Sequence, residues 1–251
     1  CSVRRQRQMC IRDSLWREAK ALAIKHDVGM SFHMSPAQID PDGFVAEFGH
    51  RPIVHLAEIG VLDDRCALTH MVRVNDAEVD ILAESGASVA HCPTTALKVA
   101  YGVTQVGKFP EMVQKGVNVS LGTDGNNASN YSDLMRASYL AAGIFKDARE
   151  DPQMFPAEKA FEMATIDGAK TLLMDQEIGS LEIGKKADLV LHDTDRPEWR
   201  PLLNVMNQLV WSADGRGVHT VLVDGQTVVE DGKCLTVDEE KLWSDVQQMG
   251  E

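Results

Sequence analysis

Four ionisable side chains stand at the ends of short apolar segments of this sequence. His33 ends VGMSFH, His70 ends CALTH, His91 ends ASVAH, and Asp124 follows VNVSLGT. Imidazoles and carboxylates at such positions can move protons or bind a cation. The apolar segments are typical of buried strands, and the carboxyl ends of parallel strands share one edge of a sheet. The pattern therefore predicts one functional edge that carries all four groups.

The segments between these strands have the periodicity of helices. Ser14 is predicted to cap a helix over LWREAKALAIKHD, and Pro52 to stand in the first turn of a helix over RPIVHLAEIGVL. NDAEVDILAESG predicts a capped helix that Gly86 closes, and VGKFPEMVQKG a helix that Pro110 bends or shortens. Alternating strands and helices predict a parallel sheet, in an open doubly wound fold or a (β/α)8 barrel. Only four such units lie between residues 14 and 148, which is half of a barrel.

The chain changes character after Pro152 and Pro156. AEKAFEMATIDGAKTLL predicts one more helix, while ADLVLHD, HTVLVDG and QTVVEDG predict short strands, the last two joined by a hairpin at Asp224 and Gly225. The sequence thus predicts an α/β fold with a small β appendage. The predicted boundaries are an unassigned or foreign arm at 1–13, a partial barrel with C-terminal helices at 14–185, a partial β-sandwich appendage at 186–235 and a helical tail at 236–251.

The composition excludes several classes of partner. Asp and Glu number 38 against 25 Lys and Arg, and the net charge of −13 repels nucleic-acid phosphates and anionic membranes. No apolar run approaches the roughly 20 residues of a membrane span. The five cysteines are odd in number and form no C-x-x-C pair, which favours a reducing, cytoplasmic location. Neither a nucleic acid nor a membrane is therefore the expected partner.

Three ordered stretches of the chain resemble the amidohydrolase superfamily. They are ALTHMVRVNDAEVDILAESGASVAHCPTTALKVAYG, GVNVSLGTDGNNASN and ATIDGAKTLLMDQEIGSLEIGKKADLVLHD. The sequence is similar to the branch that contains cytosine and guanine deaminases, methylthioadenosine and S-adenosylhomocysteine deaminases and triazine chlorohydrolases. The resemblance covers residues 14–235 and implies the C-terminal half of a metal-dependent hydrolase barrel plus part of a small β-sandwich domain.

The resemblance also implies roles for individual residues. Such enzymes hold one divalent ion, zinc or iron, with an H-x-H pair on the first barrel strand, a His on the fifth and an Asp on the eighth. By this likeness His33 and Asp124 are metal ligands, and His70 and Asp124 are the catalytic groups that move protons of the attacking water. His91 is expected near the substrate, and Arg73, close to His70, is a candidate substrate-binding cation. The implied substrate is a nitrogen heterocycle that undergoes hydrolysis of a C–N, or alternatively C–halogen, bond.

The sequence departs from the pattern of this branch in two respects. Its eight histidines form no H-x-H, so two metal ligands are absent, and a site with only His33 and Asp124 is expected to have negligible metal affinity and no turnover. The Glu that usually follows the fifth-strand His by three residues is Pro36, which cannot donate a proton. Glu47, in a segment predicted to be a long loop, could replace it. The Asn expected after the seventh strand is Ala96.

Other interpretations stay open. A strand-end His is often a hydrogen-bonded structural residue, Asp124 before Gly125 could be a turn aspartate, and Arg73 could be an ion-paired surface residue. The intact parent could be a binuclear enzyme with a carboxylated Lys on a strand that this chain lacks. The chain could also be an inactive family member that serves as a binding or structural module. An open half-barrel exposes strand edges, so we expect the isolated chain to self-associate as a homo-oligomer or aggregate.

Overall fold

The computed structural model describes residues 13–250, so the predicted arm at 1–13 lies, apart from its last residue, outside the described chain. A parallel sheet contains four strands in sequence order: β1 Met30–Met34, β2 Cys66–His70, β3 Ser88–His91 and β4 Val119–Leu121. Helices connect successive strands, as in consecutive units of a (β/α)8 barrel. The α/β fold class predicted from the sequence is confirmed.

The helices of the described chain vary widely in length. In order they are α1 Asp13–Lys25, α2 Ile39–Phe48, α3 Pro52–Glu58, α4 Asp76–Ser85, α5 Pro93–Lys98, α6 Val103–Val106, α7 Phe109–Gln114, α8 Asn126–Ser129, α9 Leu134–Ala148, α10 Ala157–Ala164, α11 Ile166–Thr171, α12 Val205–Trp211 and α13 Glu239–Met249. No helix among residues 13–250 combines the length and the apolar composition that a membrane crossing requires.

The two faces of the parallel sheet differ in chemistry. Strand register places Phe32, Leu68, Val89 and Val119 side by side on one face, and they belong to the main hydrophobic core. The neighbouring level, which faces the opposite way, carries the smaller or polar side chains His33, Thr69, Ala90 and Ser120. Most helices therefore cover the core face, whereas α11 approaches the other face, where the hydroxyl groups of Thr171 and Ser120 are 2.9 Å apart. The functional groups of the strands are expected on that second face or at the strand ends.

Local sequence explains the best-defined helix, α4. The Asn75 side chain accepts a hydrogen bond from the Glu78 backbone N–H at 2.9 Å, and the Glu78 carboxylate accepts one from the Asn75 N–H at 3.1 Å. This reciprocal capping box satisfies two amide donors at the start of the helix. Gly86 ends the helix in the left-handed region at φ 75°, where a side chain would be strained. The predicted capped helix that closes at Gly86 is confirmed.

Several predicted element boundaries were wrong. Helix α1 already includes Ser14, so this residue does not cap it. The predicted loop that contains Glu47 is mostly helix α2, because Pro41 is tolerated in its first turn and Phe44 is buried. Pro110 stands in the first turn of α7, so the helix predicted over 106–116 is shortened at this proline, as one of the two expectations had it, and is not bent. The predicted helix over AEKAFEMATIDGAKTLL divides into α10 and α11 at Thr165, whose backbone leaves the helical region at φ −124° and ψ −95°.

A second sheet stands where the β appendage was predicted. Its antiparallel strands are β5 Leu189–His192, β6 Val218–Val223, β7 Gln226–Glu230 and β8 Lys233–Cys234. The hairpin between β6 and β7 turns at Asp224 and Gly225, both with positive φ, as predicted. Within the described chain, no residue of these four strands is fully buried.

Candidate active site

Three of the four predicted strand-end groups converge. His33 lies on β1, His70 ends β2, and Asp124 follows β4. The Nε2 atom of His33 is 3.6 Å from Oδ1 of Asp124, and the Nε2 atom of His70 is 3.6 Å from Oδ2 of the same carboxylate. The two imidazole rings are 5.1 Å apart between centroids. The carboxylate of Asp124 therefore lies between two imidazoles.

Unusual backbone conformations accompany this convergence. His70 has φ 81°, Met71 φ 50° and Asp124 φ 61°, all in the left-handed region that residues other than glycine seldom occupy. Strand alternation alone would place His70 on the same face as Leu68, in the core. Rotation about the N–Cα bond to positive φ changes the direction of the Cβ atom relative to the preceding strand, and His70 faces Asp124. At Asp124, the side-chain Oδ1 accepts a 2.7 Å hydrogen bond from the Gly125 N–H.

The electrostatics of the site keep His70 neutral. Burial lowers the pKa of His70 to about 4, the Asp124 carboxylate opposes this shift, and His33 adds to it. The ring therefore has an unprotonated nitrogen at neutral pH, as a metal ligand or a proton acceptor requires. The side chain of His33 is 52 % exposed, whereas that of Asp124 is 13 % exposed.

The cluster has a donor set that fits a divalent transition metal. One ligand atom from each of His33, His70 and Asp124 can be chosen so that all three lie within 4.8 Å of one another. Ligand atoms about 2.1 Å from a tetrahedral zinc ion lie roughly 3.4 Å apart, so small side-chain rotations would bring these atoms to zinc spacing. Among residues 13–250, no other set of three His, Cys, Asp or Glu side chains is grouped in this way. The sequence analysis counted two ligands, and the structure adds His70 as a third group in reach.

His91 does not join the cluster. It follows the strand alternation to the core face, where its fully buried ring lies 3.8 Å from Phe109 and 6.0 Å from Phe145 between centroids. Burial lowers the pKa of His91 to about 3, and within the described chain neither ring nitrogen has a hydrogen-bond partner. Its substrate-binding role stays a prediction. Its parity with Val89 fits a core position, but His70 has the same parity, so this pattern alone does not distinguish the two histidines.

Arg73 also lies apart from the three ligand atoms. Its backbone N–H donates to the Ser35 carbonyl at 2.9 Å, and its guanidinium packs so closely against Gly102 that a Cβ atom there would come within 2.8 Å of it. No hydrogen-bond partner of the Arg73 Nε atom occurs in the described chain. A substrate contact for Arg73 stays a prediction. Glu47 is exposed on α2, and Ala96 is buried on α5.

The sequence analysis missed two features of the site. The ring of Tyr101 makes an edge contact with the ring of His70, at 5.6 Å between centroids and 73° between planes. A buried ion pair between Arg51 and Glu78 supports the turn that follows His70. Tyr101 gave no motif signal, but the N-D-A-E order from Asn75 to Glu78 did mark a capping box. Burial and the charge of Asp124 raise the pKa of the nearby Cys92 thiol to about 12.

A cavity lies on the other side of the parallel sheet from the core. It has a volume of about 530 Å³ and is lined by Ser31, Ala67, Ala90 and Ser120 of the strands together with residues of the α11 region such as Leu172. None of the three clustered side chains lines it. The cavity therefore lies against the open sheet face, and the clustered side chains stand outside it at the carboxyl ends of the strands.

Comparison with known proteins places this geometry in context. Residues 9–228 match the amidohydrolase family model. A 5-methylthioadenosine/S-adenosylhomocysteine deaminase of Thermoanaerobacter pseudethanolicus is 37% identical over 235 residues, which cover 94% of this chain and 54% of the relative. A 5'-deoxyadenosine deaminase of Methanothermobacter thermautotrophicus is 38% identical over 227 residues, covering 90% of this chain and 52% of the relative. The chain thus spans about half the length of the curated relatives it matches.

Solved structures support the same comparison. An adenosine deaminase of Xanthomonas campestris with bound zinc superimposes with a TM-score of 0.90 at 30% identity, covering 94% of this chain and 53% of that one. A zinc complex of an atrazine chlorohydrolase of Arthrobacter aurescens has a TM-score of 0.87 at 23% identity, with 94% and 52% covered, and its likeness concerns the fold alone.

Proposed function

This chain belongs to the amidohydrolase family. We propose that it carries the proton-transfer groups of a metal-dependent hydrolase that cleaves C–N bonds of nitrogen heterocycles. The observation that supports this most is the placement of the Asp124 carboxylate between the Nε2 atoms of His33 and His70, 3.6 Å from each. A structural role for either histidine would not require both to face one carboxylate at a strand edge.

The proposal includes one divalent ion, zinc or iron, with His33 and Asp124 as protein ligands. The two nitrogen and oxygen donor types suit either metal. When bound, such an ion acts as a Lewis acid that makes water a nucleophile at neutral pH. The neutral state of the His70 ring leaves its Nε2 atom available at the same place, as a further ligand or as a base.

Two side chains of this chain can move the protons of hydrolysis. Asp124 can accept a proton from the attacking water, because its carboxylate is poorly exposed and directed toward the cluster. His70 can then hold that proton, since its Nε2 atom faces the same carboxylate, and pass it to the leaving amine. The partly buried contact with Tyr101 limits how far the His70 ring can rotate during this transfer.

The proposed substrates are adenine nucleosides such as 5'-methylthioadenosine, S-adenosylhomocysteine and 5'-deoxyadenosine, after which the relatives are named. Their exocyclic amine would leave as ammonia. Pro36 stands where a ring-protonating Glu is expected, so proton delivery to the ring must come from another group, and His70 is the candidate within the cluster. Hydrolysis of a C–halogen bond of a heterocycle is the alternative reaction.

A fusion protein tests the proposal. Residues 14–251 would be joined behind the part of the Thermoanaerobacter relative that this chain does not match, loaded with Zn²⁺ or Fe²⁺, and assayed for ammonia release from the three nucleosides. We expect turnover that the Asp124→Asn variant of the same fusion lacks. The Pro36→Glu variant should turn over faster, because it supplies a carboxyl group for ring protonation.

The second candidate is a non-catalytic module that keeps only the fold. A fusion that is folded and loaded with metal, yet releases neither ammonia nor halide from any substrate, would support this alternative and contradict the hydrolase.

Location and partners are also part of the proposal. The free thiols of Cys66, Cys92 and Cys234 are compatible with the cytoplasm as the place of action. The two outer strands of the parallel sheet, β1 and β4, each have one unpaired edge in the described chain, which supports self-association of this chain when it is alone.

A further inference from the structure

The structure assigns a positioning role to Arg51: together with buried Glu78, it holds the turn that directs His70 toward Asp124. The catalytic importance of this turn rests on the proposed function, but the geometry itself does not. Arg51 lies at the start of α3 and Glu78 in the first turn of α4, and neither contacts the ligand cluster directly.

The turn needs support because its backbone is unfavourable. His70 and Met71 are consecutive non-glycine residues with φ 81° and 50°. Left-handed conformations of such residues persist only when surrounding contacts hold them. Relaxation of His70 to an ordinary strand conformation would return its side chain to the core face, as occurs for His91. The position of His70 thus depends on what fixes the residues after it.

Three hydrogen bonds fix those residues. The Met71 N–H donates to the Met34 carbonyl at 3.0 Å, and the Arg73 N–H donates to the Ser35 carbonyl at 2.9 Å. The third comes from outside the sheet, where the Arg51 Nη2 atom donates to the Arg73 carbonyl at 2.6 Å. The first two hydrogen bonds link the turn to the end of β1, just after His33. The third links the turn to Arg51 at the start of α3.

Arg51 is itself held rigidly. Its Nε atom donates to Oε2 of Glu78 at 2.6 Å, and the Glu78 side chain has no exposed surface. The other contacts of that carboxylate are the Ile53 N–H, at 3.2 Å from Oε1, and the Asn75 N–H, at 3.1 Å from Oε2. The carboxylate is therefore satisfied by the first turns of two helices, and a buried charge in such a setting does not move easily.

The guanidinium group is specifically suited to this task. Its planar fork donates from Nε to a carboxylate and from Nη2 to a carbonyl at a fixed mutual angle. A lysine ammonium can keep the charge pair with Glu78, but it has no rigid second donor for the Arg73 carbonyl. An Arg51→Lys variant should therefore fold while holding the turn less firmly.

Native-state hydrogen exchange of the 251-residue chain tests the inference without any assay of turnover. The amides of Met71 and Arg73 report the turn, and the amides of Val89 and Gly122, which donate to Asn118 and His91 carbonyls, report the sheet elsewhere. In Arg51→Met we expect the two turn amides to exchange at least tenfold faster than in the parent, with Val89 and Gly122 changed less than threefold. Arg51→Lys should give an intermediate, equally local increase.

Arg149→Met is the matched control. Arg149, which follows the last residue of α9, likewise donates to a carbonyl, that of Gly107, and to a carboxylate, that of Glu111. We expect no selective change at Met71 or Arg73 in this variant. A uniform increase over all four amides in the Arg51 variants, or none, would overturn the inference. If Arg51→Met does not fold, the Arg51→Lys result decides by the same criterion.

The outcome separates this inference from the proposed function. Local loosening of the turn in an Arg51 variant, together with a fusion protein that has no hydrolase activity, would retain the positioning role and reject the hydrolase. Activity of the fusion with unchanged exchange at the turn would retain the hydrolase and reject the role of Arg51.

Discussion

The two sheets of this protein have the same number of strands but different relations to the rest of the chain. In the parallel sheet, one face is buried under helices, and residues such as Leu68 and Val89 have no exposed surface. In the antiparallel sheet no strand residue is fully buried within the described chain, and Val190 and Leu191 are about half exposed. The clustered ligand atoms all belong to the parallel sheet and the loop that follows it. The side chains of the cluster need exact positions, and they are carried by the parallel sheet, which close packing holds in place.

The contrast extends to the helices attached to each sheet. Helix α9, which packs near β4, buries Ala137, Ala141 and Phe145, whereas α13 at the end of the chain buries no residue. We infer that the parallel-sheet region carries most of the folding free energy of the isolated chain, and that the antiparallel region contributes little.

A matched pair of leucine truncations gives the largest expected difference. Leu68→Ala on β2 should lower the free energy of unfolding by about 2–5 kcal/mol, because it leaves a cavity in a closed core. Leu191→Ala on β5 should lower it by less than about 0.5 kcal/mol, since that side chain is already half exposed. Urea unfolding followed by circular dichroism measures both. Equal losses would show that the second sheet is as much a part of the cooperative core as the first.

The pH dependence of stability gives the next largest effect. Burial lowers the pKa of His91 to about 3 from an ordinary 6.5, so the unfolded state binds a proton that the folded state does not. The contribution of His91 is complete above pH 6.5 and is lost as the pH falls through this range toward 3. Between pH 6 and 4, each unit of acidification should cost about 1.4 kcal/mol through His91.

The His91→Leu variant should remove that slope in metal-free protein. His192→Leu on the antiparallel sheet is the control: burial lowers its pKa too, but the residue is only partly buried, so the slope should change less. Urea unfolding at several pH values measures both slopes. A His91→Leu protein with the parent slope would contradict the closed environment described for His91.

Two aspartate caps give the smallest difference. Asp133 accepts hydrogen bonds from the Met135 and Arg136 N–H groups at 2.8 and 3.2 Å and caps α9. Asp133→Ala should therefore cost about 1 kcal/mol of unfolding free energy. Asp238 caps α13 through the Lys241 N–H, but Asp238→Ala should leave the thermal midpoint unchanged and only reduce local helicity. A lower thermal midpoint for Asp238→Ala would show that α13 docks on the rest of the protein.

Sequence patterns predicted the strands well because each is a short apolar run between helices with clear end signals, as at Asn75 and Gly86. They failed where proline had two compatible interpretations. Pro41 and Pro110 each stand in a first helical turn, where a missing N–H costs nothing. The segment around Pro41 was predicted to be a loop, and Pro110 was expected to bend or shorten a helix. The division of α10 from α11 at Thr165 depends on tertiary packing that no local pattern records.

The site was predictable in part. Motifs singled out His33, His70 and Asp124, and the edge they share follows from parallel strand topology. The sequence did not predict that the side chains of His70 and His91 take different directions. Each residue ends an apolar strand at a position where strand alternation directs the side chain toward the core. What distinguishes them is the left-handed backbone at His70, supported by Arg51 from a distant part of the sequence, and such support is visible only in three dimensions.

Cobalt titration of the 251-residue chain tests the central claim, that His33, His70 and Asp124 share one cation site. Counting only two ligands, the sequence favoured negligible affinity, but three donors reach the number found in catalytic zinc sites. We expect the chain to bind one equivalent of Co²⁺. The bound ion should show a visible absorption band whose intensity indicates a coordination geometry of low symmetry. The band should be lost in Asp124→Ala and weakened at least tenfold in affinity in His33→Ala and His70→Ala, whereas His26→Ala, an exposed control, should leave it unchanged. No binding by the parent chain, or binding indifferent to Asp124→Ala, would contradict the account.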